Sequence, residues 1–504
     1  MQRRQFLQAS VGAASSALLT RYARAQTSGP APTIEVASLD GGARTLTSDA
    51  LNDLRDGLHG ALLLPRDDGY DATRRLVNSR FDKHPAFIVQ VTGAADVALA
   101  VSFAREKGLL LAVKGGGHSD FGVSCDDSAM MIDLSLLRGV RIDMDARRAW
   151  VAGATLAGLI DHEAGARGLA VPLGGASTVS VGGLALGGGI GKLGRRYGLT
   201  LDSIRALEIV TADGRVRRAS ERENPDLFWA ARGGGGNFGV ATALELNLHP
   251  IPERVLAGSI NFPFDQARQV LAAYGDYARA APDELYVDLF LAARATAETS
   301  VLLVQVCYLG PLGDADRVLQ PLRRLGSVVR EDVKPVSYPT AQGANTHVAA
   351  RMTSARPTTE SYFRAGFLDQ LSEGLASAIG ESVRPQPDRR INMLFLHGGG
   401  AISRTAPSAT AFSHRAASHD MIFIANWPKG DDHSPHEEYI HQTWARLQPF
   451  TRGFYVNDMA GGVSPPEVAA NYGPNAARLA AVKARWDPQN LFRLNANILP
   501  RGVS

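Results

Sequence analysis

The sequence predicts an α+β protein, and two observations carry that prediction. Near the N-terminus, "AFIVQVTGAADVALAVSFAREKGLLLAVKGGGH" runs strand, helix and strand into one compact βαβ-like unit. From about residue 253 the texture changes to alternating strands with long helical patterns between them, which reads as an antiparallel sheet backed by helices. At 504 residues there is room for two large domains or about three ordinary ones. A composition of 45% hydrophobic and 20% charged residues suits a soluble globular enzyme.

The first 25 residues read as an export signal. Arg3-Arg4 is followed by Phe6-Leu7, a modestly apolar Ala/Ser/Leu stretch and the cleavage pattern Ala23-Arg24-Ala25. The paired arginines resemble a twin-arginine signal, which makes the export machinery a partner and predicts a periplasmic or secreted product. Cleavage would remove four arginines and no acid, taking the formal charge from +3 to −1. The basic balance therefore belongs to the signal and implies neither a nucleic-acid nor an anionic-membrane partner. No other run approaches the ~18 apolar residues of a membrane span. Cys125 and Cys307 lie far apart without metal-ligand spacing, and nothing predicts a metal site or a disulfide.

After a leader to about residue 45, residues 86–91 form a strand. Thr92 caps a helix whose Val97, Ala100, Val101 and Ala104 keep helical spacing, and Leu109–Val113 is a second strand. The turn from Lys114 to His118 lies at that strand's C-terminal end, where ligands of open α/β sheets tend to sit. Strands follow in "MMIDLS", "GVRIDM" and "AWVAGAT", then a helix over roughly 155–167. "SIRALEIVTADGRVRRAS" is a hairpin turning at Asp213-Gly214. A boundary falls near 250–256. Beyond it come the strands "ELYVDLFL", "SVLLVQVCYL", "INMLFLHG" and "MIFIANW", with helical patterns at 264–282, 314–325, 362–379 and 434–448. The last ~50 residues are rich in polar loops and do not read as a domain alone.

Glycine accounts for 52 residues, clustered at 115–117, 182–191, 233–236 and 398–400. Such clusters permit close backbone approach, because glycine has no Cβ. Gly189, Gly191 and Gly194 spell G-x-G-x-x-G, but no clean helix follows, and the acid at the right distance, Asp213, sits in a hairpin turn. A phosphate loop fails too, since Leu193 follows Gly191-Lys192 where a hydroxyl is needed. What remains is a set of glycine-rich turns whose N–H groups suit a pyrophosphate. His118, after three glycines, is by itself either a hydrogen-bonded loop histidine or a reactive one.

Four segments in order, "VKGGGHSDFGVSCDDSAMMIDLS", "LGGASTVSVGGLALGGGIGKLGRRYGLTLDSI", "LFWAARGGGGNFGVAT" and "YGPNAARLAAVKARWDPQNLFRLNANILP", resemble the berberine-bridge-enzyme-like flavoproteins of the vanillyl-alcohol-oxidase superfamily. The resemblance spans about residues 58–501. It implies an FAD domain in two parts, 46–252 and 451–504, with a substrate domain inserted at 253–450. It also implies that His118 bonds covalently to the flavin, beside Lys114, Gly115, Gly116, Gly117 and Ser119. Further flavin contacts are implied at Gly174, Gly175, Ala176, Thr178, Val179, Val181, Gly182 and Gly183. Others fall at Gly188, Gly189, Gly191, Tyr197, Gly198, Leu199 and Asp202, at Gly239 and Val240, and at Asn495 and Asn497.

Two positions depart from the family pattern. Lys114 stands where arginine is usual, which loses the bidentate fork. Ala176 stands where many members carry a second flavin-bonding cysteine, so a single link through His118 is expected. "GFYVNDM" resembles the family's Y-x-N element, which makes Tyr455 the first candidate base, provided its neighbours depress its pKa. Asn457 would hold flavin or substrate, and Asp458 is either a second base or a turn residue. In the strand 421–427 the alternating Met421, Phe423 and Ala425 are apolar, so no carboxylate is expected from it. Val179 resembles the oxygen-accepting version of a gate position. The implied activity is oxidation of a small alcohol, saccharide or cyclic amine with O2 reduced to H2O2; the alternative is a dehydrogenase using another acceptor.

Overall fold

A computed structural model describes residues 33–343, 359–458 and 463–502. The twin-arginine segment lies outside the described residues. Among those described, no helix is long and apolar enough to cross a membrane, and no cluster of metal-ligating side chains occurs.

Three large sheets, with two further two-stranded ones, build the described residues. The first has four strands in the order Ala61–Leu63, Phe87–Gln90, Met130–Asp133, Leu111–Lys114. Phe87–Gln90 and Leu111–Lys114 each pair in parallel with Met130–Asp133, which separates them. The predicted βαβ unit is therefore present, with a later strand between its two. Its helix, Ala94–Lys107, buries Val97, Ala100, Val101 and Ala104. Gly93 rather than Thr92 occupies the N-cap position. Thr92 instead donates its hydroxyl to Asp96 Oδ2 at 2.9 Å, and Asp96 also accepts from the N–H groups of Thr92, His59 and Gly60.

The second sheet is antiparallel and runs Val216–Ser220, Ile204–Val210, Val240–Asn247, Arg148–Ala152, Val140–Asp143. The third is a nine-stranded sheet from Val255–Phe262 to Thr451–Arg452. Its centre runs Leu285–Ala293, Arg390–His397, His419–Pro428, Thr359–Leu368.

The helical pattern expected over 362–379 is corrected here. Thr359–Leu368 is a strand, paired with His419–Pro428 and with Thr451–Arg452, and the helix spans only Glu373–Ser382. Both faces of that strand are covered: Phe367 and Phe363 join one core, Leu368 and Tyr362 the other. Apolar residues therefore fall on consecutive positions and hide the two-residue alternation.

Helices Ala267–Ala280, Glu373–Ser382 and Ser434–Leu447 bury their apolar stripes on one face of the large sheet. The opposite face, through Phe367 and Leu396, packs on the core of the glycine-rich segment. The C-terminal stretch is pinned back to the N-terminal half by Lys483. Its fully buried ammonium reaches Asp487 Oδ2 at 2.6 Å, Asn237 O at 2.7 Å and Phe492 O at 2.9 Å. Asn237 in turn donates to Ala496 O and accepts from Ile498 N.

Candidate active site

The turn after Leu111–Lys114 is set by its glycines. Gly117 has φ +73°, open to glycine at low cost. A Cβ on Gly115 would lie 2.6 Å from Ser180 Oγ, so the turn can press directly against the segment before helix Val181–Gly187. Gly116 N–H donates to Ser180 Oγ at 3.0 Å, and His118 Nε2 meets Thr178 Oγ1 at 2.8 Å. Burial lowers the imidazole to about pKa 4, so it is neutral at physiological pH. Lys114 lies beneath, its Nζ 3.1 Å from the fully buried Asp133, so its charge is committed inside the protein.

Tyr455 arrives from the far end of the chain. Its phenol oxygen accepts from Gly189 N at 2.6 Å and from Asn457 Nδ2 at 2.7 Å, while Asn457 also donates to Leu184 O. Gly188 has φ +149°, and a Cβ there would lie 2.9 Å from the Tyr455 ring. A Cβ on Gly187 would overlap the Asn457 amide. The helix end is thus shaped for the Y-x-N turn. The pKa requirement placed on Tyr455 is not met: burial, with Asp458 and Asp420 nearby, pushes the phenol up despite its two donors.

The strand thought to lack a carboxylate supplies one. It begins at His419, and Asp420 is 1% exposed. Met421, Phe423 and Ala425 belong to the helix-side core, so the inspected positions look away from the site. Asp420 lies on the other face, in register with Phe367 and Leu396. Its carboxyl shares a hydrogen bond with that of Asp458, and burial and Asp458 raise its pKa well above the usual range. Burial lifts Asp458 to about 6, and burial and Asp458 also raise Asp120, two residues past His118. Asp420 and Asp120 were not anticipated; the signal was an acid at the mouth of an apolar strand in "SHDMIFIANW".

The matches to known proteins agree with this geometry. Residues 85–220 match the FAD-binding domain family, and 455–499 match the berberine and berberine-like family. The chain is 31% identical to (R)-6-hydroxynicotine oxidase of Paenarthrobacter nicotinovorans over 88% of its own length and 98% of that protein. The chain belongs to the berberine-bridge-enzyme-like FAD-linked oxidoreductases.

FAD is the family's cofactor and oxidoreduction its chemistry. Chitooligosaccharide oxidase of Gibberella zeae is 29% identical over 84% of this chain and 89% of that protein. The structure of glucooligosaccharide oxidase from Acremonium strictum, described with 6-S-cysteinyl, 8α-N1-histidyl FAD, superposes with a TM-score of 0.78 at 25% identity, covering 90% and 98% of the two chains.

The remaining family-implied positions fall into three groups. Ala176, Thr178 and Val179 are half-buried, Thr178 against His118, with Gly174, Gly175, Val181 and Gly183 in the same segment; Ser119 Oγ accepts from Val123 N, and Gly182 N–H donates to Gly153 O. A second group is explained by packing within the protein. A Cβ on Gly189 would overlap Thr200, one on Gly191 would overlap Leu173 O, and one on Gly239 would strike Val210 O. Val240 and Leu199 are core residues. Asp202 grips Arg415 at 2.6 and 2.8 Å and lies under Gly198. Tyr197 stacks on His249 and donates to Pro250 O. The third group is Asn495 and Asn497, whose buried side-chain oxygens have no partner.

FAD fits these residues. Among those described, the N–H groups of Gly117, His118 and Ser119 face no protein acceptor, and the orphaned oxygens of Asn495 and Asn497 await donors. Such groups are rarely left unsatisfied in a folded protein, and a pyrophosphate and an isoalloxazine edge are complementary to them.

Proposed function

We propose an exported oxidase that carries FAD on a single covalent bond and oxidises a small alcohol, saccharide or cyclic amine. Bound FAD supplies the two-electron chemistry, accepting hydride at N5 and passing electrons to O2 as H2O2. His118 holds it. With Nε2 engaged by Thr178, Nδ1 is the ring nitrogen left to form the bond, and neutrality keeps its lone pair available. Ala176 at the cysteine position leaves no second tether.

The observation that carries the catalytic reading is the acid pair Asp420–Asp458, its Asp420 member buried and facing the glycine-rich core beside Tyr455. In the pair Asp420 holds the shared proton, and Asp458, lifted to about 6, leaves the pair able to take a second proton near neutral pH. Two N–H donors already occupy the Tyr455 oxygen, so its own hydroxyl remains to donate to the substrate heteroatom. The Asp420–Asp458 pair therefore takes the substrate's O–H or N–H proton, and Tyr455 orients the group that loses it. Val179 and the oxidases among the relatives support O2 as acceptor.

A panel of alcohols, oligosaccharides and amines, scored by peroxide release, tests the assignment. Asp420→Asn should keep its flavin and lose roughly 10²–10⁴-fold in kcat. Faster turnover with a dye than with O2 would show the dehydrogenase alternative instead.

A further inference from the structure

The glycine cluster at 398–400 wraps a side chain of the protein itself. Arg195 leaves the turn Gly194–Tyr197 of the glycine-rich segment and enters the domain of the large sheet, where it is 4% exposed. Its Nη1 donates to Gly398 O and its Nη2 to Ala281 O, each at 2.6 Å. Ala281 is the C-cap of helix Ala267–Ala280, and the unpaired carbonyls of a helix end favour a cation. Gly399 and Gly400 turn around the guanidinium with φ of +76° and +57°. A Cβ on Gly399 would lie 2.8 Å from Nη1, and one on Gly400 would strike Arg195 O. Nη1 also lies 3.1 Å from His397 Nε2. Among the described residues no carboxylate pairs with this guanidinium: Asp283 is taken by Arg404 at 2.7 Å, and Asp288 accepts from His397 N at 3.4 Å. Burial, reinforced by Arg195, keeps His397 and His419 neutral, so neither imidazole adds charge at neutral pH.

A charge buried without a carboxylate is costly, and for cohesion alone an apolar side chain would serve as well. The place of Arg195 gives it another use. His397 ends the strand Arg390–His397 and stands in register with His419, the two rings stacked at 5.3 Å. Asp420 follows His419 directly. Gly398 N donates to Ser418 O at 2.8 Å, so the loop that Arg195 holds also holds the lead-in to Asp420. Six residues before Arg195, Gly189 N donates to the Tyr455 phenol. One short segment therefore grips Tyr455 at one end and, through Arg195, the strand ends that carry Asp420 at the other. Resting on the acid-pair reading above, we propose that Arg195 is a positioning residue for proton transfer, fixing the gap between Asp420 and Tyr455 in which the substrate heteroatom must sit. A shift of about 1 Å in a reacting group can cost about 10²-fold in rate, so a joint behind the site carries kinetic weight.

The test compares variants of the flavin-loaded enzyme by two rates, each per bound flavin. One is anaerobic bleaching by the panel compound that releases most peroxide; the other is reoxidation by O2 after dithionite reduction. Arg195→Met should bleach roughly 10²-fold more slowly at saturating substrate, with KM within about threefold of wild type and reoxidation unchanged. Arg195→Lys keeps the charge but loses the fork to two carbonyls, and should recover about tenfold of that loss. Arg404→Met removes a nearby cation that is 61% exposed and should match wild type. Wild-type bleaching in Arg195→Met, both rates slowed alike, no recovery in Arg195→Lys, or an equal loss in Arg404→Met would each overturn the proposal. If Arg195→Met does not accumulate with flavin, Gly399→Ala decides, because its methyl displaces Nη1 while the charge stays; wild-type bleaching there overturns the proposal equally. Asp420→Asn separates the two readings. A fast Asp420→Asn refutes the acid pair, whereas a slow one beside a fast Arg195→Met refutes only the role of Arg195. If no panel compound bleaches the flavin, backbone hydrogen exchange over residues 396–421 decides. It should quicken in Arg195→Met while residues 204–210 stay unchanged, and equal exchange overturns the joint.

Discussion

Thr178 engages one nitrogen of His118 at 2.8 Å and burial keeps the ring neutral, so the proposed covalent attachment falls to the single remaining ring nitrogen. Mass spectrometry of the denatured protein should find one flavin, on the peptide containing His118, and none in His118→Ala. A flavin on Cys125 would contradict this, and Cys125 is fully buried with its thiol pushed up to about 11. A second buried acid gives a pH signature. Burial raises Asp161 to about 7 with only a 3.5 Å contact to Gln342 and one oxygen orphaned. The folded state then holds a proton that the unfolded chain releases near pH 4, so stability falls as pH rises from about 4 to 7. Asp161→Asn lacks this dependence. Its stability relative to wild type should rise by about 2–3 kcal/mol between pH 5 and pH 8, read from urea midpoints. His118 and Tyr455 were legible because their motifs are local. Asp420 was not, because the face it occupies is decided by register with Phe367 and Leu396 on strands far away in sequence.

Among the elements, the C-terminal helix Ala476–Trp486 packs Leu479, Val482 and Trp486 into the core and is tied down there by one buried cation. Lys483 is fully buried, and burial lowers it to about 8 although Asp487 opposes the shift. Removing one partner strands the other charge. Lys483→Met should cost roughly 3–5 kcal/mol by denaturant titration and loosen the flavin before the large sheet unfolds. The hairpin Ile204–Ser220 was readable from its Asp213-Gly214 turn, because its contacts are short-range, whereas in the first sheet the strand Ala61–Leu63 and the placement of Met130–Asp133 between the two βαβ strands were not, because those pairings are long-range. Thr359–Leu368 was not, since a central strand covered on both faces presents no polar side to mark its period.

Across the whole molecule, the glycine-rich segment that touches His118 through Thr178 receives the Tyr455 turn from the last tenth of the chain, with the large sheet packed on the same core. For the proposed export, replacing Arg3 and Arg4 with lysine should leave the uncleaved precursor in the cytoplasm, read by cell fractionation. The docking of Tyr455 on Gly189 also sets a timetable. A ribosome adds about 5–20 residues per second, so the His118 turn emerges roughly 20–60 s before Tyr455 does. Throughout that interval the nascent protein has an anchoring histidine but neither the phenol nor half of the acid pair. Flavin attachment, if it needs the closed site, becomes a signal that translation has finished, and a chain broken short of residue 451 is marked by its lack of yellow colour.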